Sequence, residues 1–423
     1  MQKKDLEIMA PAGNFECLRA AIQGGANSIY FGIGNLNMRS HSANNFQPSD
    51  LQEIVRLCRE AGVKAYMTLN IVLYEEDLEP MRRVLDAAKA ACVDAIIASD
   101  MACISYCRQI GLEVHISTQL NVSNVEALRF YSQFADVVVL ARELNLHQVK
   151  HIHEAIEREH ITGPSGELVR IEMFAHGALC MAISGKCYLS LQTYGASANR
   201  GACYQLCRRG YEVTDLETGT KLNIDNKYIM SPKDLKTIHF LNKMLDAGVR
   251  VLKIEGRARG AEYVQTVVSC YREAVEAWQR DDYADDAIIL PRIEDWNTRL
   301  ARVFNRGFWD GYYQGQYLGE WTHSYGSKAT RKKVFAGKCT NFFKNIGVAE
   351  FFIEATDAIR EGDELLVTGE TTGAYEVIAH DMRNAKGDPK EVIQKGAYFS
   401  LKTDKPIHRG DKLFVLKPTD TAQ

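Results

Sequence analysis

The chain contains 423 residues, of which 46% are hydrophobic and 25% charged, and it carries a formal net charge of −3. This composition is typical of a soluble globular protein, and the length allows one large domain plus a small one. A net charge so close to zero excludes a global attraction to nucleic acid or anionic lipid, so such a partner would have to be bound by a local patch.

The N-terminal segment, residues 1–8, has basic residues but no apolar core and no cleavage site, so we expect no secretory signal. The sequence has no run of about 18 apolar residues, and we therefore expect no membrane span and no membrane partner. Eleven cysteines in a chain without an export signal favour reduced thiols or metal ligands over disulfides. These features together predict a cytoplasmic protein.

Short apolar runs alternate with amphipathic segments over residues 1–280. Such alternation predicts a parallel sheet covered by helices, and eight units in this length match a (β/α)8 TIM-like barrel. The predicted strands are 6–10, 28–33, 65–71, 95–99, 114–118, 137–141, 171–175 and 251–254. The predicted helices are 14–24, 49–61, 76–91, 101–110, 121–134, 145–160, 233–247 and 261–280.

An open, doubly wound sheet is the alternative architecture for this alternation. A dinucleotide-binding sheet of that kind carries G-x-G-x-x-G after its first strand. In this sequence the nearest match, residues 32–37, follows the second strand and lacks the third glycine. The barrel is therefore the favoured fold.

A long insertion, residues 177–230, follows the seventh predicted strand and carries four cysteines: Cys180, Cys187, Cys203 and Cys207. Loops at this end of barrel strands usually carry function. Four thiolates are soft ligands that suit an iron–sulfur cluster or a zinc ion. Structural zinc sites prefer closely paired cysteines, and only Cys203 and Cys207 are so close. The spacing favours the cluster, with zinc and unligated thiols as alternatives.

The pattern changes after residue 280. Residues 281–286 form an acidic break, a helix is predicted at 293–304, and residues 281–333 as a whole are expected to link two domains. From 334 to 423 the chain reads as short strands with turns, and residues 359–367 resemble residues 407–415. This weak internal repeat predicts a small C-terminal all-β barrel.

Polar residues recur at every second position near the ends of the predicted barrel strands, where the strands should otherwise be apolar. On this basis the candidates for proton transfer are His115, Glu172, His176 and Glu255. The candidates for substrate binding are Arg39, Asn70, Gln119, Arg142, Lys253 and Arg257, and the four basic residues among them suit a carboxylate or a phosphate. A structural salt-bridge network, with buried core histidines, is the alternative interpretation.

Two classes of function have weaker support. No G-x-S-x-G occurs, and residues 153–157 lack the second histidine of H-E-x-x-H, so no peptidase constellation is recognisable. Local basic residues and aromatics would suit RNA with an unstacked base, but they equally fit a charged linker and a packed aromatic corner. The basic residues are Arg200, Arg208, Arg209, Lys328, Arg331, Lys332, Lys333 and Lys338; the aromatics are Phe304, Phe308, Trp309, Tyr312 and Tyr313.

Residues 172–190 resemble the signature of the collagenase-like peptidase U32 family, E-x-F-x2-G-[SA]-[LIVM]-C-x4-G-x-C-x-[LIVM]-S, at every position. Further segments that resemble the family are 10–13, 201–208, 231–235, 253–257 and 305–308. Within the family the chain is most similar to the tRNA 5-hydroxyuridine hydroxylation branch. Two features favour this branch: Cys203 and Cys207 are separated by three residues, and a serine stands at position 231, where ubiquinone-pathway relatives tend to place a cysteine. The rRNA cytidine-hydroxylating relatives are longer.

The resemblance implies a [4Fe–4S] cluster bound by Cys180, Cys187, Cys203 and Cys207, with zinc as the alternative. It implies an enzyme needed to convert the wobble uridine of tRNA to 5-hydroxyuridine. The expected partners are the anticodon region of tRNA, prephenate or a related carboxylate as hydroxyl donor, and a related U32 subunit. A U32-type peptidase, a non-catalytic cluster-bearing scaffold and an rRNA cytidine hydroxylation relative are the alternatives.

Overall fold

The computed structural model describes residues 6–40, 45–222 and 228–419, and its first part is a closed barrel. In chain order the strands are β1 Glu7–Ala12, β2 Ser28–Gly32, β3 Lys64–Leu69, β4 Ala95–Ala98, β5 Glu113–Ile116, β6 Val137–Val139, β7 Arg170–Gly177, β8 Val213–Thr214, β9 Lys221–Leu222, β10 Asp234–Lys236 and β11 Val249–Ile254. Strands β1 to β7 pair in parallel, and β11 pairs with both β1 and β7 and so closes the ring. The predicted (β/α)8 barrel is confirmed.

Helices cover the outer faces of the barrel strands, except for α7 (Leu189–Tyr194), which lies in the cysteine insertion. They are α1 Phe15–Gln23, α2 Leu51–Glu60, α3 Leu78–Ala90, α4 Met101–Ile110, α5 Val125–Ser132, α6 Leu146–Glu159, α7 Leu189–Tyr194, α8 Leu241–Asp246, α9 Ala261–Gln279 and α10 Asp286–Arg302. Asparagine or aspartate side chains cap the backbone N–H groups at the start of several helices, including Asn14, Asp100, Asn124 and Asn145. These caps fix where the helices begin. Within the described residues, none of the helices combines the length and apolar character needed to cross a bilayer.

The segment after the cysteine insertion differs from the prediction of one helix at 233–247. Strand β10 pairs antiparallel with the end of β7, through Leu235 opposite Gly177 and Lys236 opposite His176, and α8 is shorter than expected. Strand β7 extends beyond its neighbour β6, and the backbone groups on that edge of β7 need a partner. That long-range pairing decides the structure of β10.

Residues 281–333, which were expected to be a linker, instead pack on the barrel. Trp296 and Leu300 of α10 are buried in the same core as the barrel helices. Strand β12, Phe308–Trp309, pairs in parallel with β10, so the barrel sheet continues through both strands. Trp309 and Tyr313 are buried as well. They therefore belong to a packed aromatic corner and do not offer a surface for stacking bases.

The C-terminal region is a separate antiparallel domain, as predicted. Its strands are β13 Arg331–Phe343, β14 Val348–Ile353, β15 Ala358–Arg360, β16 Glu364–Gly369, β17 Gly373–Ile378, β18 Arg383–Asn384, β19 Val392–Gln394, β20 Tyr398–Lys402 and β21 Lys412–Pro418. Seven of them form one sheet in the order β17-β16-β21-β13-β14-β20-β18, and β15 pairs with β19. The domain has a hydrophobic core of its own, in which the rings of Phe351 and Phe399 stack.

The C-terminal domain docks on α1 and α9 of the barrel through specific polar contacts. Gln23 of α1 donates a hydrogen bond to the carbonyl of Thr372 (2.7 Å) and accepts one from the backbone N–H of Ala374 (3.2 Å). Lys333 and Glu262 form an ion pair at 2.7 Å across the same boundary. The two domains therefore share a defined interface.

Candidate functional site

A cavity of about 150 Å³ opens at the carboxyl end of the barrel strands. All four cysteines of the insertion line it, although they are spread over 28 positions of the sequence. The candidates for substrate binding that line it are Arg39, Asn70, Gln119, Arg142, Lys253 and Arg257, together with Glu255. The structure therefore brings the cysteines and the predicted binding residues to one place.

Two glycines allow the insertion to fold back over the barrel. Gly177 ends β7 with φ +108°, and a Cβ atom there would lie 2.6 Å from the carbonyl oxygen of Glu255. Gly201 has φ +90°, and its Cβ atom would lie 2.0 Å from Ser40 Oγ. Neither position accepts a side chain without movement. These close approaches set the positions of Cys180 and Cys203, which follow the glycines.

Hydrogen bonds fix other described residues of the insertion. Arg208 donates to the carbonyls of Leu179 and Pro232 and to Ser231 Oγ, so it joins both ends of the cysteine segment. Asn199 Oδ1 accepts from the backbone N–H of Cys187 (3.3 Å). These bonds hold the described part of the insertion, residues 177–222 and 228–230, in a defined position.

The electrostatic surroundings of the cysteines differ. Burial raises the pKa of Cys180, but the guanidinium groups of Arg142 and Arg39 outweigh it and hold that pKa below the ordinary value. Burial raises the pKa of Cys203 and of Cys207. The nearby cations therefore favour the thiolate form of Cys180 more than they favour that of Cys203 or Cys207.

The donor set fits a group that thiolates bind. Four thiols line one cavity, and three nearby arginines would offset the negative charge of such a group. In the described part of the chain, however, no three histidine, cysteine or acidic side chains already converge as metal ligands. Binding would therefore require the thiols to turn inward, and the donor set alone leaves both the cluster and zinc open.

The polar residues of the cavity are held in pairs. Arg39 Nη2 lies 2.7 Å from Glu255 Oε1, and this neighbour holds the pKa of Glu255 below its ordinary value although burial acts to raise it. Arg257 donates to Asn37 Oδ1 (3.1 Å) and Thr68 Oγ1 (3.0 Å), and burial lowers its pKa to about 10. At neutral pH the wall therefore presents one carboxylate among several cations.

Amide and hydroxyl groups also line the cavity. Asn70 Nδ2 lies 3.3 Å from both Ser117 Oγ and Gln119 Oε1, and Arg142 Nη2 donates to Ser184 Oγ at 2.8 Å. The Arg142 guanidinium also lies over the ring of Phe174, at 5.3 Å from its centroid. These groups offer both donors and acceptors to a polar ligand.

Glu172 does not line the cavity. It is fully buried in the barrel, and its Oε1 atom is 2.7 Å from Lys253 Nζ. The ammonium group of Lys253 reaches the cavity and lies over the ring of Tyr30. The pair therefore has the geometry of the structural ion pair that was the alternative interpretation.

Neither predicted histidine reaches the cavity. His115 belongs to a layer at the amino end of the barrel, where its Nε2 atom is 3.2 Å from Glu113 Oε1 and its ring packs on Tyr66. His176 lies outside the barrel, against the rings of Tyr271 and Phe308, and burial lowers its pKa to about 3. The placement of both histidines at the barrel mouth was wrong.

The causes of these two errors differ. Alternation along a strand gives the face that a residue occupies but not its depth, and His115 is one layer too low. For His176 the face itself is reversed, because the pairing of β7 with β11 shifts register between Phe174 and His176. Sequence reasoning also missed Asn37, which lies in a loop, and Asn199, which lies in the short 3-10 helix Ala198–Arg200; neither carries a periodic signal.

Comparison with known proteins places this geometry in a family. The model described as Peptidase family U32 matches residues 13–323. A protein named collagenase from Porphyromonas gingivalis is 58% identical over 98% of this chain and 98% of its own length. The tRNA hydroxylation protein P1 of Bacillus subtilis is 33% identical over 86% of this chain and 83% of its own length. The 23S rRNA 5-hydroxycytidine C2501 synthase of Escherichia coli is 37% identical over 64% of this chain and 39% of its own length.

Proposed function

The chain belongs to peptidase family U32, and from this premise we propose that it is an iron–sulfur protein required to hydroxylate the wobble uridine of tRNA to 5-hydroxyuridine. Relatives named for tRNA and rRNA hydroxylation support the class of reaction. The observation that carries the proposal is the cavity itself, in which four thiols face a wall of cations and amides. Because tRNA is the substrate, the proposal includes a cytoplasmic location.

In this proposal Cys180, Cys187, Cys203 and Cys207 hold a [4Fe–4S] cluster. When bound, the cluster would supply redox or Lewis-acid chemistry at the barrel mouth. Arg142, Lys253 and Arg257 would bind the carboxylate of a hydroxyl donor, prephenate or a related acid, through charge-assisted hydrogen bonds. The Glu255 carboxylate, whose low pKa keeps it ionised, suits proton acceptance.

The surface beside the cavity supports an RNA substrate. Tyr188 and Tyr204 directly follow Cys187 and Cys203, and their side chains are 70% and 51% exposed. The ring of Tyr204 lies 5.1 Å from that of Tyr194, over which the Arg209 guanidinium packs. Exposed rings and a cation at one rim can stack an unpaired base and bind its phosphate.

The peptidase named by the collagenase relative is the second candidate. It would need a nucleophile with an adjacent base or a metal-bound water. Within residues 6–40, 45–222 and 228–419, no histidine lines the cavity beside the cysteines. This observation disfavours cysteine-dependent proteolysis at the site.

Loss of 5-hydroxyuridine from tRNA, measured by nucleoside mass spectrometry in a deletion strain, tests the proposal. Wild-type chain and Cys92→Ser should restore the nucleoside, because Cys92 is exposed and remote from the cavity. Cys203→Ser should not, and after anaerobic purification it should contain markedly less iron and sulfide than the wild type. Unchanged tRNA in the deletion strain, with peptide cleavage that follows the purified chain and is lost in Cys203→Ser, would favour the peptidase instead.

A further inference from the structure

A second chamber, of about 80 Å³, adjoins the cysteine cavity. Cys180, Cys203 and Cys207 line both spaces and so form the partition between them. By the measure in which one water needs about 10–15 Å³, the chamber has room for a group of several heavy atoms. Its wall carries four guanidinium groups, those of Arg39, Arg208, Arg259 and Arg306.

Two of these four cations have carboxylate partners. Arg39 lies 2.7 Å from Glu255, which is itself on the chamber wall, and Arg306 lies 3.2 Å from Asp234. These ion pairs neutralise Arg39 and Arg306. The charges on the other two arginines are not balanced in this way.

Neither Arg208 nor Arg259 forms an ion pair among the described residues. Arg208 donates only to two backbone carbonyls and a serine hydroxyl. The Arg259 guanidinium makes no hydrogen bond within the part of the chain that the structure describes, and it lies over the ring of Phe304 at 3.5 Å. Burial lowers the pKa of Arg259, although the Glu255 and Asp234 carboxylates act to raise it.

We propose that this chamber is a binding site for a small, doubly charged oxyanion of the phosphate class. The guanidinium groups of Arg208 and Arg259, which are not in ion pairs, supply positive charge, and the open planar donor fork of Arg259 matches the oxygens of such an anion. The open donors of Arg259 would be satisfied by it, whereas no described protein group satisfies them. The site is distinct from the carboxylate-binding wall of the main cavity, and it does not depend on the proposed function.

Calorimetric titration of inorganic phosphate into the anaerobically purified full chain, in a buffer free of other oxyanions, tests the site. The wild type should bind phosphate, and Arg259→Gln should weaken the affinity about tenfold or more, because one charge-assisted contact is lost. Arg83→Gln removes a charge from the exposed face of α3 and should bind as the wild type does. Iron content should be equal in all three proteins.

Two further arms make the outcome decisive. Arg259→Lys keeps the charge but loses the fork, so its affinity should fall between those of the wild type and Arg259→Gln, which separates anion binding from a folding defect. A tRNA anticodon stem-loop that displaces phosphate would identify an RNA phosphate as the natural occupant, and simultaneous binding would identify a free anion. Absence of phosphate binding by the wild type, or equal affinity of Arg259→Gln, would overturn the proposal, as would loss of iron from Arg259→Gln without a change in phosphate affinity.

Discussion

The buried ion pair between Lys253 and Glu172 should make a large contribution to the free energy of unfolding of the barrel. Both side chains are buried, and Glu172 is wholly inaccessible. Glu172→Ala would leave the Lys253 ammonium buried without a counter-charge, at a cost of about 3–5 kcal/mol. We expect this loss in the free energy of unfolding of the barrel, measured by urea denaturation and far-UV circular dichroism.

The paired replacement of Glu172 and Lys253 by methionine is the matched control. It removes both charges at similar volume, so it should be markedly more stable than Glu172→Ala. If Glu172→Ala were as stable as the wild type, the buried ion pair would not be a source of the barrel's stability.

Substitution of Glu255 tests whether the chain is an enzyme or a non-catalytic scaffold. Glu255→Gln keeps the shape of the side chain but removes the charge that lies 2.7 Å from Arg39. If Glu255 accepts a proton in the reaction, tRNA hydroxylation should fall by about 10²–10⁴ while the iron content is retained. Glu53→Gln, on the exposed face of α2, should leave modification unchanged. Full modification by Glu255→Gln would instead indicate that the chain delivers its partners without taking part in proton transfer.

At the residue scale, the sequence was sufficient to predict which polar side chains approach the barrel mouth, but not how they pair. Strand alternation indicated Lys253 and Arg257, and both line the cavity. The partner of each depends on contacts between distant segments: Lys253 with Glu172, and Arg257 with Asn37. Periodicity along a single strand contains no information about such contacts.

At the element scale, the end of β7 controls the cysteine insertion. Gly177→Ala would place a Cβ atom against the Glu255 carbonyl at a left-handed φ, and the strand would have to move away from β11. We expect a folded barrel by circular dichroism with reduced iron content, because the segment that carries Cys180 begins there.

Gly166→Ala is the control for Gly177→Ala, because it separates the effect of a steric contact from that of backbone strain. Gly166 has φ +86°, and a Cβ atom added there would meet no other atom within 4 Å, so its substitution adds strain alone. Its cost should be about 1 kcal/mol, without loss of iron. Equal iron contents in the two variants would contradict the role assigned to the end of β7.

Most elements of the barrel could be predicted from sequence, and the exceptions share one physical cause. The eight strands are short apolar runs, which sequence reveals directly. Strand β10 and the register shift in β7 arise from the pairing of β7 with two different partners, β11 and β10. Those pairings are decided by the closed sheet and not by local composition.

At the scale of the whole molecule, Gln23 couples the two domains. Its side chain bonds the backbone of Thr372 and Ala374, and Gln23→Ala would remove both contacts at once. We expect the C-terminal domain to be released earlier on heating and to be cleaved faster in limited proteolysis, with calorimetry showing two separated transitions. Gln52→Ala on the exposed face of α2 should change neither, and a single unchanged transition in Gln23→Ala would show that other contacts hold the domains together.

The pairing of β12 with β10 has a consequence for how this fold can be cut and recombined. Trp309 Nε1 donates to the carbonyl of Lys233, and Trp321 forms a β-bridge with Pro232. Residues after the eighth barrel strand therefore hold the chain where it leaves the cysteine insertion. A fragment ending near residue 280 would keep a complete ring of strands yet leave that part of the chain without its brace. The smallest structural unit is therefore the barrel together with the segment that contains Trp309 and Trp321. Chimaeras between relatives should exchange both as one piece.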